Sequence, residues 1–138
     1  MSKGNIIFLL DSDDIFKKNK LSEINKIFKK NKKINFIQDT PINSFLKKKM
    51  SLKYKNHFFS IWPSFFPTSC IAFKRNFFNN FLKVLKKNKF SNLEIDARLS
   101  IYAYIINQFY ITNKSLTIYN YDENGISSKY KKFSKFWW

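Results

Sequence analysis

Short apolar runs and apolar residues at helical spacing alternate along the 138-residue chain. The first run, Asn5 to Leu10, is continuous and rich in β-branched residues, which is typical of a buried strand in a parallel sheet. A helix follows, because apolar residues recur at helical intervals with lysines between them. These residues are Leu21, Ile24, Ile27 and Phe28. The run 34–37 predicts a second strand, so the chain opens with a strand–helix–strand unit.

The rest of the chain predicts a surface segment, a further strand, two helices and a final pair of strands. Residues 41–60 are polar and lysine-rich, and an aromatic loop with Trp62 follows them. The further strand spans Ser69 to Phe73, and the helices span Asn76–Lys87 and Glu94–Gln108. The final strands span 109–112 and 116–121, joined by a turn at Asn113 and Lys114. No repeat or linker separates these elements, so we expect one α/β domain with segments 1–40, 41–66, 67–122 and 123–138.

Composition and charge exclude several classes of protein. With 44% hydrophobic and 20% aromatic residues, the chain is too apolar for a disordered basic tail. The single cysteine, Cys70, excludes a disulfide framework and a cysteine-based zinc finger. The net charge is +17, but the lysines are scattered and only two of the 26 basic residues are arginines, as AT-rich codon usage would produce. We therefore expect no specific nucleic-acid partner, although an anionic membrane surface would attract the chain.

Three aspartates, Asp11, Asp13 and Asp14, lie within four positions directly after the first strand. Adjacent like charges repel each other and Asp is disfavoured in strands. Because the cluster is energetically costly, its presence calls for an explanation, such as binding of a cation. In an extended backbone Asp11 and Asp13 would point to the same side. Two converging carboxylates make a hard-oxygen site for Mg²⁺ or Mn²⁺ that leaves room for phosphate oxygens and water.

Other interpretations of this cluster are open at this point. Asp13 or Asp14 would cap a helix beginning at Ile15, although capping accounts for one aspartate and hardly for three. An EF-hand is excluded, because Ile15 and Phe16 stand where that loop needs a ligand and a glycine. A haloacid-dehalogenase-like phosphatase also begins with an apolar strand and Asp-x-Asp, but no later Gly-Asp motif follows here.

Three segments together resemble a family 2 glycosyltransferase with the GT-A fold. Gly4–Phe16 looks like the centre of that family, where a strand leads to Leu-Asp-x-Asp-Asp and a helix. Pro67–Phe77 is similar to the acceptor-side segment, and Leu93–Ser100 resembles the Glu-Asp-x-x-Leu motif, with Ile95 where Glu is usual. Leu116–Trp138 resembles the closing strand and tail of bacterial members.

The resemblance implies a metal-dependent, inverting transfer of a sugar from a nucleotide-diphosphate donor to a glycan or lipid-linked acceptor, as in polysaccharide biosynthesis. Asp11 and Asp13 would bind Mg²⁺ or Mn²⁺ and, with Arg98, the donor diphosphate. Asp96 would be the catalytic base. An alternative for Asp96 is a carboxylate that caps a helix or pairs with Arg98.

Two residues are candidates for binding the acceptor. Trp62 would offer an aromatic surface to a sugar ring, and Arg75 offers a planar guanidinium that suits phosphate or carboxylate. The rival functions for the chain are a Mg²⁺-dependent phosphatase and a basic nucleic-acid-binding protein.

The resemblance also implies a missing part. In the GT-A fold a nucleotide-binding βαβ half precedes the Asp-x-Asp strand, whereas here that strand starts at residue 5. We expect a partial GT-A fold, a Rossmann-like mixed sheet flanked by helices that lacks its first βαβ half, and a partner chain would supply that half. The expected location is the cytoplasm, peripherally at the inner face of the plasma membrane, where the basic aromatic tail 130–138 would sit at the interface.

Overall fold

The structure, a computed structural model, describes residues 3–52, 64–85 and 94–120, which form two four-stranded mixed sheets and three α-helices. The α/β class expected from the sequence is therefore confirmed. The strands are β1 (Ile6–Phe8), β2 (Ile15–Phe16), β3 (Phe36–Asp39), β4 (Ile42–Asn43), β5 (Lys48–Lys49), β6 (Ile71–Lys74), β7 (Phe109–Thr112) and β8 (Thr117–Tyr119). The helices are α1 (Lys20–Lys30), α2 (Arg75–Leu85) and α3 (Ile95–Ile105), and a 3₁₀ turn spans Thr68–Cys70.

The first sheet has the strand order β1-β6-β3-β7. Strand β6 runs antiparallel to both β1 and β3, and β7 runs parallel to β3. Strands β1 and β3 thus share a direction, as the predicted strand–helix–strand unit requires, but β6 lies between them. The prediction that the first strand is buried in a parallel sheet is wrong: β1 is half-buried and pairs antiparallel with β6. It is the outermost of the described strands of this sheet, so a described neighbour covers only one of its edges.

Side chains of the first sheet alternate between two apolar layers, one against α1 and the other against α2 and α3. Ile37 and Ala72 belong to the layer that contains Ile24 and Phe28 of α1. The opposite layer is larger and mostly aromatic, and its buried residues are Phe36, Ile71, Phe73, Phe77, Phe81, Leu99 and Ala103. Complete burial of one such large apolar side chain stabilises a fold by about 1.5–3 kcal/mol, so these layers fix the helices on the two faces of the sheet.

The second sheet has the order β2-β8-β4-β5 and corrects one sequence interpretation. Ile15 and Phe16 pair antiparallel with Ile118 and Thr117, so no helix begins at Ile15 for Asp13 or Asp14 to cap. The first helix begins instead at Lys20. The prediction that Asp13 or Asp14 caps a helix is therefore wrong, because Ile15 and Phe16, which follow the cluster, form strand β2.

Two predicted connections also differ from the structure. The surface segment expected after residue 40 contains the hairpin of β4 and β5, while its portion 53–60 lies outside the described residues. Strands β7 and β8 do not pair across Asn113 and Lys114 but belong to different sheets. Leu116 between them is buried in the layer beneath α1, which draws the chain away from β7.

Among the described helices, none is long and apolar enough to cross a membrane.

Candidate functional site

The aspartate cluster forms a tight turn between β1 and β2. The amide of Asp14 donates a hydrogen bond to the carbonyl of Asp11 at 3.2 Å, which closes a four-residue turn. The segment is therefore not extended, and the argument that alternation makes Asp11 and Asp13 point the same way does not apply. What keeps the cluster together is this turn, which brings three carboxylates to the end of β1.

Asp14 is the buried member of the cluster, with 7% of its surface exposed. Its Oδ1 accepts a hydrogen bond from the amide of Asn120 at 2.8 Å, while Oδ2 is buried and has no hydrogen-bond partner among the described residues. Asn120 also donates from its side-chain amide to the carbonyl of Asp13. A buried carboxylate oxygen without a donor is unfavourable, so Asp14 Oδ2 is an acceptor that no donor of the described residues satisfies.

The 3₁₀ turn Thr68–Cys70 joins the cluster to Asp96. The amide of Asp11 donates to Ser69 Oγ at 2.9 Å, and Thr68 Oγ1 donates to Asp96 Oδ2 at 2.8 Å. Asp96 lies in the first turn of α3, where its Oδ1 also accepts the amide of Ala97 at 2.6 Å. One short turn therefore contacts both acidic segments, although they are distant in sequence.

The charges of these segments act on one another. Burial raises the pKa of the Asp11 carboxyl above its ordinary value, and nearby negative charges raise that pKa further. In order of effect these charges belong to Asp14, Asp13 and Asp96. Asp96 has the smallest effect of the three, and its connection to Asp11 runs through the Thr68–Cys70 turn, which contacts both residues. A cation or a proton in this region would reduce the repulsion.

A buried ion pair lies beneath the Thr68–Cys70 turn. Lys20 Nζ is 2.8 Å from Asp39 Oδ1, and neither side chain has any exposed surface. The same Nζ donates to the carbonyl of Ser69 and to Thr117 Oγ1, each at 2.6 Å. Burial lowers the pKa of Lys20, while the neighbouring Asp39 carboxylate opposes that change. Lys20 thus holds the backbone of the residue whose hydroxyl contacts Asp11.

Asp39 completes this network at its other oxygen. Its Oδ2 accepts the amide of Leu116 at 3.0 Å, and its Oδ1 accepts the hydroxyl of Thr117, also at 3.0 Å. The pair therefore ties α1, β3, β8 and the 3₁₀ turn together at one point. A buried charge pair of this kind is stable only when its remaining donors and acceptors are satisfied, and every oxygen of the Asp39 carboxylate has a partner here.

The other predicted site residues lie in different places. Arg98 follows Asp96 by two residues in α3, and its Nε is buried without a hydrogen-bond partner among the described residues. No ion pair joins Asp96 and Arg98 in the described part of the chain, where the capping hydrogen bond from Ala97 is formed instead. Trp62 lies outside the described residues.

Arg75 lies at the opposite end of β1 from the aspartates. Its Nε donates to the carbonyl of Gly4 at 2.7 Å, and its amide donates to the carbonyl of Asn5 at 2.9 Å. Together with Lys29 and Lys74 it lines a cavity of about 280 Å³. The structure therefore does not bring Arg75 together with Asp11 and Asp96.

The sequence did not reveal the roles of four residues of the site, Asp14, Lys20, Thr68 and Ser69. Asp14 belongs to the Asp cluster, but its burial depends on Asn120, which is distant in sequence. Lys20 is one of many lysines, and nothing in the pattern marks it as buried. Ser69 begins the strand predicted for Ser69–Phe73 and Thr68 precedes it, and neither hydroxyl was assigned a role from the sequence. Cys70 is buried, as a small apolar residue would be, and burial raises the pKa of its thiol.

The described residues contain no group of three or more His, Cys, Asp or Glu side chains placed to hold a metal ion by themselves. Comparison with models of known protein families gives no match, and comparison with curated proteins gives none either.

Proposed function

We propose that this chain binds the diphosphate of a nucleotide sugar with a divalent cation at the turn Asp11–Asp14 and transfers the sugar to a hydroxyl group of a glycan or lipid-linked acceptor. The observation that carries the proposal is the turn Thr68–Cys70. It contacts the first acidic segment through Ser69 and contacts Asp96 through Thr68. Diphosphate-binding carboxylates and a base must lie close together for such a reaction, and this turn supports both.

The donor set is suited to Mg²⁺ or Mn²⁺ held mainly by phosphate and water. Carboxylate oxygens are the ligands these ions prefer, and Mg²⁺ commonly takes only one or two of them from the protein. Asp14 Oδ2, which has no donor among the described residues, and the raised pKa of Asp11 both favour a positive charge nearby. The chemistry that a bound cation supplies is neutralisation of the charge developing on the leaving diphosphate.

Asp96 is suited to accept the proton of the attacking hydroxyl. Hydrogen bonds from Thr68 and Ala97 fix the orientation of its carboxylate, and the side chain is only half-buried, so an acceptor can reach it. A fixed carboxylate within reach of the hydroxyl is what general-base catalysis requires. The hydrogen bond from Ala97 also suits a residue that only caps α3, and Asp96→Asn separates the two roles because Asn keeps an acceptor for the amide.

The test is release of nucleoside diphosphate from a panel of nucleotide sugars, with Mn²⁺ and hydroxyl acceptors, by the chain isolated together with the partner chain that supplies the nucleotide-binding half. We expect release that requires Mn²⁺ and falls by about 10²–10⁴-fold in Asp96→Asn, while binding of Mn²⁺ with UDP is retained. Asp11→Asn should weaken that binding. Glu23→Gln is the matched control, because it removes one negative charge from α1, where Glu23 contacts Lys26 and Lys114.

Two outcomes would contradict the proposal. Undiminished release in Asp96→Asn would leave Asp96 with its capping role alone. Cation-dependent hydrolysis of p-nitrophenyl phosphate, without release from any nucleotide sugar, would favour the phosphatase.

A further inference from the structure

The hairpin of β4 and β5 ends in an exposed apolar tip. Its loop, residues 44–47, contains Phe45 and Leu46, whose exposed fractions are 86% and 60%. Phe45 is the most exposed large apolar side chain of the described residues. Short hairpin loops usually contain Gly, Asn, Asp or Ser, which suit turns and water. Two large apolar side chains at such a tip therefore indicate a contact that removes them from water.

Three lysines follow this tip without interruption. Lys47, Lys48 and Lys49 are all exposed, and no acidic residue occurs between Ile42 and Lys49. The tip is therefore apolar at its end and positive at its base. Lysine side chains can hold their charge among lipid phosphates while their aliphatic portions cover apolar surface.

The tip is held in a defined shape before any contact. Asn43 Oδ1 accepts the amide of Leu46 at 2.8 Å, and the amide of Ser44 donates to the carbonyl of Tyr119 at 2.9 Å. At the base, Lys49 Nζ donates to the carbonyl of Asn113 at 3.1 Å. Because these contacts order the loop in advance, little conformational entropy is lost when the tip binds.

We infer that the tip Phe45–Leu46 inserts into the interface of an anionic lipid membrane, with Lys47, Lys48 and Lys49 contacting the lipid phosphates. A second copy of the chain is a poorer occupant, because it would carry the same net charge of +17. A nucleic acid would stack bases on Phe45 but gains nothing comparable from the aliphatic Leu46. Acyl chains accept both side chains.

The tip lies at the same end of the second sheet as one contact of the candidate site. Strands β4 and β8 run parallel, with Asn43 opposite Tyr119, so the tip leaves the second sheet at the end where Asn120 contacts Asp14. A docked tip would therefore direct this end of the sheet toward the lipid surface. Lipid binding itself does not depend on the proposed sugar transfer.

The test is co-sedimentation of the purified chain with vesicles of phosphatidylcholine alone or mixed with phosphatidylglycerol. We expect binding to the anionic vesicles only, weakened about tenfold or more by Phe45→Ser because one large apolar side chain no longer inserts. Ile105→Ser is the matched control, since Ile105 lies at the end of α3 and is, after Phe45, the most exposed large apolar side chain of the described residues, at 66%. The control should bind like the unmodified chain.

Charge is tested with a second pair of variants. Lys47→Gln with Lys48→Gln should weaken binding by about thirtyfold, because the attraction of two lysines to the anionic surface is lost. Lys32→Gln with Lys33→Gln makes the same charge change at two exposed residues after α1 and should weaken binding much less. A fluorophore on Phe45→Cys gives a direct readout, because native Cys70 is buried and shielded from labelling. Its emission should shift to the blue on anionic vesicles.

Several results would overturn the inference. They are no binding to anionic vesicles, binding that Phe45→Ser leaves unchanged, and equal losses in the two lysine pairs. Self-association of the unmodified chain that Phe45→Ser abolishes would assign the tip to a second copy instead. Binding to single-stranded DNA that depends on Phe45 but not on Leu46, without binding to vesicles, would assign the tip to a nucleic acid.

Discussion

Replacing Lys20 with methionine tests whether a buried ion pair holds the Thr68–Cys70 turn in place. The substitution leaves the Asp39 carboxylate completely buried with the amide of Leu116 and the hydroxyl of Thr117 as its remaining donors. It also removes the donor to the carbonyl of Ser69. Breaking one half of a buried pair destabilises a protein by about 3–5 kcal/mol. Small domains have unfolding free energies of about 5–15 kcal/mol, so Lys20→Met should remove a large part of the stability.

Urea unfolding followed by circular dichroism measures this effect in a double-mutant cycle with Asp39→Asn. The double variant has no buried charge, and the side-chain amide oxygen that Asp39→Asn introduces can still accept the amide of Leu116. We therefore expect the double variant to be more stable, by about 3 kcal/mol, than the sum of the two single effects predicts. Lys26→Met is the control, because Lys26 is exposed and such surface pairs contribute about 0.2–1 kcal/mol. Destabilisation by Lys20→Met that is no greater than destabilisation by Lys26→Met would refute the role given to the buried ion pair.

Three further predictions concern the core, a surface carboxylate and the 3₁₀ turn. Phe36→Ala should lower the unfolding free energy by about 3–5 kcal/mol in the same urea assay, because it leaves a cavity between β3 and α2. Hydrogen bonds from Lys114 and Lys26 lower the pKa of Glu23 from 4.5 to about 2, so its stabilising contribution is complete above pH 4.5 and is lost as the pH falls toward 2. In an NMR titration Lys114→Met should move that pKa back toward 4.5. Ser69→Ala removes the acceptor of the Asp11 amide and should destabilise the chain by about 1 kcal/mol; no change in urea unfolding would contradict the role given to this hydrogen bond.

Features set by local periodicity could be predicted from the sequence. The helical spacing of Ile24 and Phe28 predicted α1 correctly, because both side chains are buried in the layer against the first sheet. The aromatic and β-branched stretch Phe109–Thr112 predicted the bounds of β7 correctly. Periodicity reports which side chains must leave water, and this is enough to identify an element and its apolar face.

Pairing and burial between distant segments could not be predicted in this way. The run Leu116–Tyr121 predicted β8, but the sequence did not indicate that its partners are β2 and β4 in a second sheet. For the same reason Lys20 resembled every other lysine, since Asp39, Thr117 and the carbonyl of Ser69, all distant in sequence, make its burial favourable. Asp14 resembled its neighbours because Asn120 covers it from another part of the chain.

Some residues of the candidate site were proposed from the sequence, and others were recognised only in the structure. Asp11 and Asp13 were predicted from their spacing and Asp96 from a family resemblance, and in the structure one turn contacts Asp11 through Ser69 and Asp96 through Thr68. The supporting residue Ser69 has a polar side chain that local pattern cannot distinguish from any other serine. Its role follows from two contacts with remote residues, the amide of Asp11 and the ammonium of Lys20.

Paramagnetic broadening by Mn²⁺ tests the central claim most directly, which is that a cation bound at the turn Asp11–Asp14 lies close to Asp96. Substoichiometric Mn²⁺ is titrated with UDP into the isotopically labelled chain, and backbone amide signals are followed by NMR. The account predicts that the amides of the turn and those of Thr68 and Ala97 broaden together, before that of Arg75 at the other end of β1. Broadening of the turn without Ala97, or no selective broadening at all, would contradict it.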